Sequence, residues 1–111
     1  MSNFVDEFNK LSIDIHNTAV EKGWWETERN DGEAIALMHS ELSEALEALR
    51  KDPKATDDHL PEFLGVEAEF ADVIIRIMDL SAKRGWNVGS AILAKAEYNK
   101  QRAYKHGGKK F

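Results

Sequence analysis

The sequence contains no cysteine, which excludes disulfides and thiolate metal sites and fits a reducing, cytoplasmic setting. It has only two prolines, Pro53 and Pro61, in 111 residues, a scarcity that favours long helices over a loop-rich β fold. No stretch approaches the roughly 20 consecutive apolar residues of a membrane span. No segment shows the strict apolar–polar alternation of a half-buried strand. The first ten residues are polar and acidic, unlike a secretory signal. Positive charge is also short overall: the net charge is −5, which argues against broad, sequence-independent binding of a nucleic-acid polymer. The expected protein is cytoplasmic, with neither membrane nor nucleic-acid polymer as partner.

What is present is helical periodicity. Phe4, Val5, Phe8, Leu11, Ile15 and Ala19 recur at three- and four-residue steps, which predicts a first helix over about 3–22. Lys22-Gly23 is a stop signal, a cation on the negative helix end followed by a residue that tolerates positive φ. A second helix is expected over about 32–51, with Asn30 and Glu33 at capping-box spacing and a stripe of Ile35, Met38, Leu42, Ala45, Leu46 and Leu49. Asp52-Pro53 ends it. The polar stretch 53–61 reads as a mobile loop. A third helix over about 62–84 turns Phe70, Val73, Ile74, Ile77 and Leu80 inward and stops at Lys83-Arg84-Gly85. A fourth covers about 88–105, before a glycine- and lysine-rich tail at 107–111. Short connections between amphipathic helices argue for one all-α domain, a four-helix bundle. A helical chain this short often completes its core by pairing with a copy of itself.

Charge is unevenly placed. Between Glu41 and Asp79 eleven acids face four basic residues, whereas from Lys95 to the end six basic residues face one acid. Within the acidic stretch, Glu41-x-x-Glu44 and Glu69-x-x-Asp72 each put two carboxylates on one helix face, beside an apolar stripe. If the two helices pack antiparallel through those stripes, four carboxylates converge. Like charges in a partly dry site force protonation or push the helices apart, and a hard cation such as Mg²⁺ resolves the conflict. Glu47 and Glu67 flank this set. A di-iron carboxylate bundle requires Glu-x-x-His on two helices. The residues three before His16, His39, His59 and His106 are Ile13, Ala36, Thr56 and Ala103, so that pattern is absent, and an all-oxygen site favours Mg²⁺, with Mn²⁺ as substitute.

Glu41-x-x-Glu44 followed by Glu69-x-x-Asp72 resembles the signature of the MazG-like, all-α nucleoside triphosphate pyrophosphohydrolases. Lys95-x-x-x-Asn99-x-x-Arg102 is similar to that family's phosphate-binding helix, and Tyr104-Lys105-His106-Gly107-Gly108 to a common continuation of it. The resemblance extends from the first helix through the tail. It implies Mg²⁺-dependent cleavage of a nucleoside or deoxynucleoside triphosphate between the α and β phosphates, in the service of nucleotide-pool housekeeping. Glu41, Glu44, Glu69 and Asp72 are then the metal ligands, with Glu41 or Glu44 as general base. Lys95, Asn99, Arg102 and Lys105 hold phosphate; Arg suits it as a two-pronged donor and Lys as a mobile point charge. Trp25 and Trp24, just before the acidic helix, are the candidates for stacking on the base. Trp24 also has a packing role open to it, against the helix turn before Gly23. A compact single-domain member of this family implies a homodimer or homotetramer that completes the site between subunits. Two alternatives are a related pyrophosphohydrolase acting on phosphoribosyl-ATP or a deoxyuridine nucleotide, and a non-catalytic helical interaction module.

Overall fold

The computed structural model describes residues 2–102. They form four helices: α1 Ser2–Glu21, α2 Asp31–Lys51, α3 Gly65–Arg84 and α4 Val88–Gln101. Among the described residues no strand forms beyond an isolated bridge between Thr56 and Leu64. The all-α expectation holds.

The helix ends follow local chemistry. Gly23 (φ 87°) and Gly85 (φ 74°) both take the left-handed conformation that ends a helix without a Cβ clash. The chain then turns back, with the amide of Trp24 donating to Ala19 O and that of Trp86 to Ser81 O. Asn30 caps α2 by accepting the Glu33 amide at 2.8 Å. Arg102 is extended (φ −75°, ψ 154°) and ends α4 at Gln101, short of the expected 105.

Two sequence expectations change in the α2–α3 connection. The segment expected to be mobile is a folded turn: the Asp57 carboxylate accepts the His59 and Leu60 amides at 3.0 Å. The Asp57 amide donates to Phe63 O, and that of Gly65 to Ala55 O. These bonds occupy the backbone through Leu64, so α3 starts at Gly65 rather than near 62. Glu67 fastens that start by accepting the Leu64 amide at 2.7 Å.

The helices pack in the spatial order α2, α3, α1, α4. Contacts between Asp31 and Arg84, Glu41 and Arg76, and Ala48 and Gly65 run in opposite sequence directions, so α2 and α3 are antiparallel. Likewise α1 meets α3 with Phe8 and Ser12 beside Ser81 and Gly85, and His16 on Asp79. At its own start α4 seats Gly89 against Phe8.

The interior is thin. Among the described residues the buried apolar side chains are Ala19, Ala34, Ala45, Met78 and Leu80, and no large side chain is fully enclosed. Several residues of the expected inward stripes stay open, including Ile35, Leu42, Leu46, Leu49, Phe70 and Ile74. The helices bury their small residues against one another and leave a second apolar face uncovered.

Candidate functional site

The antiparallel register of α2 and α3 decides which acids meet. Glu41 on α2 and Glu69 and Asp72 on α3 each bring a carboxylate oxygen to within 4.8 Å of the others. Glu41 and Glu69 are half-buried and Asp72 is exposed. Glu44, the fourth expected member, is exposed on α2 and stands outside this triangle. It is still close enough to act on Glu69 electrostatically. The Glu69 carboxyl titrates above its ordinary value, first because of partial burial and then through the charges of Asp72, Glu41, Glu44 and Asp57. A hollow of about 280 Å³ opens beside the triangle, with Glu44, Glu47, Asp57, Asp58 and Glu69 in its wall. All donors in the triangle are oxygens and all are acidic, the set that suits a hard divalent cation.

Asp57 was not singled out by periodicity because it lies outside the helices. The folded connection carries it toward Glu69. Arg76 was also missed, although a signal was available: it is the one charged residue in the apolar run Val73–Met78, a single turn beyond Asp72. Its Nη2 lies 3.4 Å from Glu41 Oε1. Among the described residues it is the only Lys or Arg in ion-pair contact with any of the four expected acids.

The two tryptophans diverge. Trp24 is 43% exposed and lies with its ring centroid 5.5 Å from the Arg76 guanidinium carbon. It borders an apolar hollow of about 380 Å³ between α1 and α3, with Leu11, Ile15, Thr18 and Ile75. Trp25 is tethered. Its Nε1 donates to both Asp79 oxygens at 3.0 Å, and His16 Nδ1 lies 2.7 Å from the same carboxylate. Asp79 is only 3% exposed, so α1, the loop and α3 share one buried polar joint. The His16 ring meets the indole edge-on, and the Arg29 and Lys83 cations each stand 5.4 Å from the Trp25 ring centroid. This joint gives Trp25 a structural anchor that its sequence position did not reveal.

On α4, Lys95 and Asn99 are exposed, as is Arg102 just beyond the helix. Lys95 Nζ sits 5.1 Å from the Tyr98 ring centroid, and Arg102 Nη1 donates to Asn99 Oδ1 at 3.4 Å. Asn99 and Arg102 therefore remain neighbours even though Arg102 has left the helix. Among the described residues, no hydrogen bond or ion pair joins these three to the acidic triangle, and the helix order puts α4 and α2 at opposite ends of the row. Lys105, with the motif through Gly108, lies outside the described residues.

Comparison of the chain with protein-family models, with curated proteins and with solved structures finds no match.

Proposed function

We propose that the chain is a Mg²⁺-dependent nucleotide pyrophosphohydrolase that converts a nucleoside or deoxynucleoside triphosphate to the monophosphate and pyrophosphate. The observation that carries this reading is the meeting of Glu41, Glu69 and Asp72 across the α2–α3 seam, within 4.8 Å of one another. Their acidic register is the one in which the sequence resembles MazG-like enzymes. Burial first, and then the repulsion of the neighbouring acids, lifts the Glu69 pKa; a structural salt-bridge cluster avoids such crowding of like charges and a cation-binding set tolerates it.

In this reading Glu41, Glu69 and Asp72 would hold Mg²⁺, and Glu44 would complete the set. Bound there, Mg²⁺ would offset the negative charge on the phosphoryl oxygens and on the leaving pyrophosphate. Glu44, or Glu41, accepts the proton of the attacking water. The water oxygen bonds to the α-phosphorus as the bond to the bridging oxygen breaks, and pyrophosphate leaves with that oxygen. Lys95, Asn99 and Arg102, with Lys105 beyond them, bind phosphate. Trp24, 43% exposed, and the tethered Trp25 stack on the base.

The proposal includes assembly into a homodimer or homotetramer. Two observations support it: α2 and α3 leave Leu42, Leu46, Leu49, Phe70 and Ile74 at 41–51% exposure, and α4 sits away from α2 within one chain. Assembly would cover the first and bring basic and acidic faces together.

The test is release of pyrophosphate from common ribo- and deoxyribonucleoside triphosphates, with phosphoribosyl-ATP and deoxyuridine nucleotides alongside, with and without Mg²⁺. At least one should be cleaved only with metal, and Glu44→Gln should lower kcat by about 100-fold or more while the helical circular dichroism stays unchanged. No pyrophosphate from any of them would sink the enzymatic reading.

A further inference from the structure

Arg76 has no part in the reading above. It occupies the middle of an apolar run on α3, with its side chain only 26% exposed. A guanidinium in such a place needs partners. It has two: Glu41 Oε1 at 3.4 Å and the face of Trp24, 5.5 Å away. It also lines a narrow gap of about 10 Å³ with Trp25, Arg29 and Asp79. Arg76 thus spans the acidic triangle and the indoles, the two places at which the proposed function puts phosphate and base.

Its bond to Glu41 is loose. A tight charge-assisted N–H···O contact is about 2.7–2.9 Å, so the observed 3.4 Å leaves much of the guanidinium's donor capacity unused. Glu41 is also one of the three carboxylates that would take a divalent cation. A cation and Arg76 then compete for the same oxygens and repel each other. The planar fork of the guanidinium matches the geometry of a phosphate.

We infer that Arg76 is a substrate-binding residue that changes partners: counter-ion of Glu41 in the metal-free chain, it turns to a phosphate of the nucleotide once Glu41 is engaged by metal. This rests on the pyrophosphohydrolase reading. Arg76 keeps the acidic seam partly neutral in the resting protein, and the cation and the nucleotide then reinforce each other's binding through it. The coupling is reciprocal, since whatever strengthens one affinity strengthens the other equally.

The experiment measures Mn²⁺ binding alone, by paramagnetic resonance of the free ion, and then the binding of an α,β-methylene nucleoside triphosphate of the cleaved substrate with and without Mn²⁺. Arg76→Gln should bind Mn²⁺ about two- to fivefold more tightly, because a competing partner is gone. It should bind the analogue about tenfold more weakly when Mn²⁺ is present. Without metal the two proteins should bind the analogue alike. Arg76→Lys keeps the charge but loses the fork, so it should bind Mn²⁺ like the wild type and the analogue with a smaller loss. Should Arg76→Gln fail to fold, Arg76→Lys alone decides. Unchanged analogue affinity in the folded variants, or weaker Mn²⁺ binding in Arg76→Gln, overturns the role of Arg76 while leaving the metal site standing. A wild-type chain that binds no Mn²⁺, with Glu69→Gln indistinguishable from it, overturns the underlying reading as well.

Discussion

Glu69 is the residue at which the conflicts of the site concentrate. Partial burial and four neighbouring acids make its carboxylate reluctant to ionise. The folded chain therefore holds a proton there at pH values where the unfolded chain has released it. Stability from this group falls as pH rises from the ordinary glutamate value through the raised one, and above that the repulsion is fully present. Glu69→Gln removes the repulsion, of which the Asp72 pair alone accounts for about 0.2–0.5 kcal/mol. The metal-free variant should melt above the wild type at about pH 8, and the difference should close toward about pH 4. Added Mg²⁺ should reverse the order, raising the wild-type Tm and leaving the variant unmoved. A variant that melts below the wild type without metal at high pH would show that Glu69 is held by attraction. Trp25 teaches a different lesson at this scale. Its two-residue neighbourhood in the sequence carries no sign of Asp79, 54 positions away, and only the fold reveals that its indole nitrogen is already committed.

At the scale of the elements, termination matters most. The turn after α3 aims Trp86 and the start of α4 back toward α1, and it depends on Gly85 at φ 74°. A Cβ added there would meet nothing within 4 Å, so the cost of a side chain is conformational alone. Gly85→Ala should lose about 1–2 kcal/mol, a fall in Tm of roughly 4–8 °C per kcal/mol for a domain of this size. Gly85→Asn should lose less, since Asn visits that region more readily. Equal Tm for wild type and Gly85→Ala in a thermal melt would mean the turn re-forms another way. The equivalent turn at Gly23 is tighter, with the Glu26 carboxylate 2.8 Å from the position a Cβ would take. Both stops were legible as a basic residue followed by glycine. The α2–α3 connection was not: its prolines and polar composition read as mobility, while Asp57 and the Thr56–Leu64 bridge organise it.

For the whole molecule, the proposed assembly rests on what one chain fails to bury. Leu42, Leu46 and Leu49 fall at i, i+4 and i+7 on α2, and Phe70 and Ile74 at i and i+4 on α3. A stable protein–protein interface covers about 800 Å² per partner, and apolar rows on two adjacent helices are the natural material for it. Leu46→Glu combined with Ile74→Glu should shift sedimentation toward the monomer and lower the Tm, because a charge held in a dry interface is costly. If the wild type already sediments as a monomer at micromolar concentration, the assembly proposal fails and the separation of α4 from α2 needs another explanation.

Periodicity, stop signals and the absence of cysteine and strand alternation were enough to determine the all-α fold and the four helices of the described residues. They also placed two acids on one face of α2 and two on one face of α3, because a 3.6-residue repeat dictates which neighbours share a face. The repeat does not dictate how far two helices slide along each other, nor which of two apolar faces is spent inside the chain. Only the tertiary structure decided that Glu41 rather than Glu44 meets Glu69 and Asp72, that Arg76 reaches Glu41, and that Asp79 gathers His16 and Trp25. Those are long-range contacts set by interhelical register, and register follows from packing small buried residues such as Ala34, Ala45 and Ala19 rather than from any local sequence pattern.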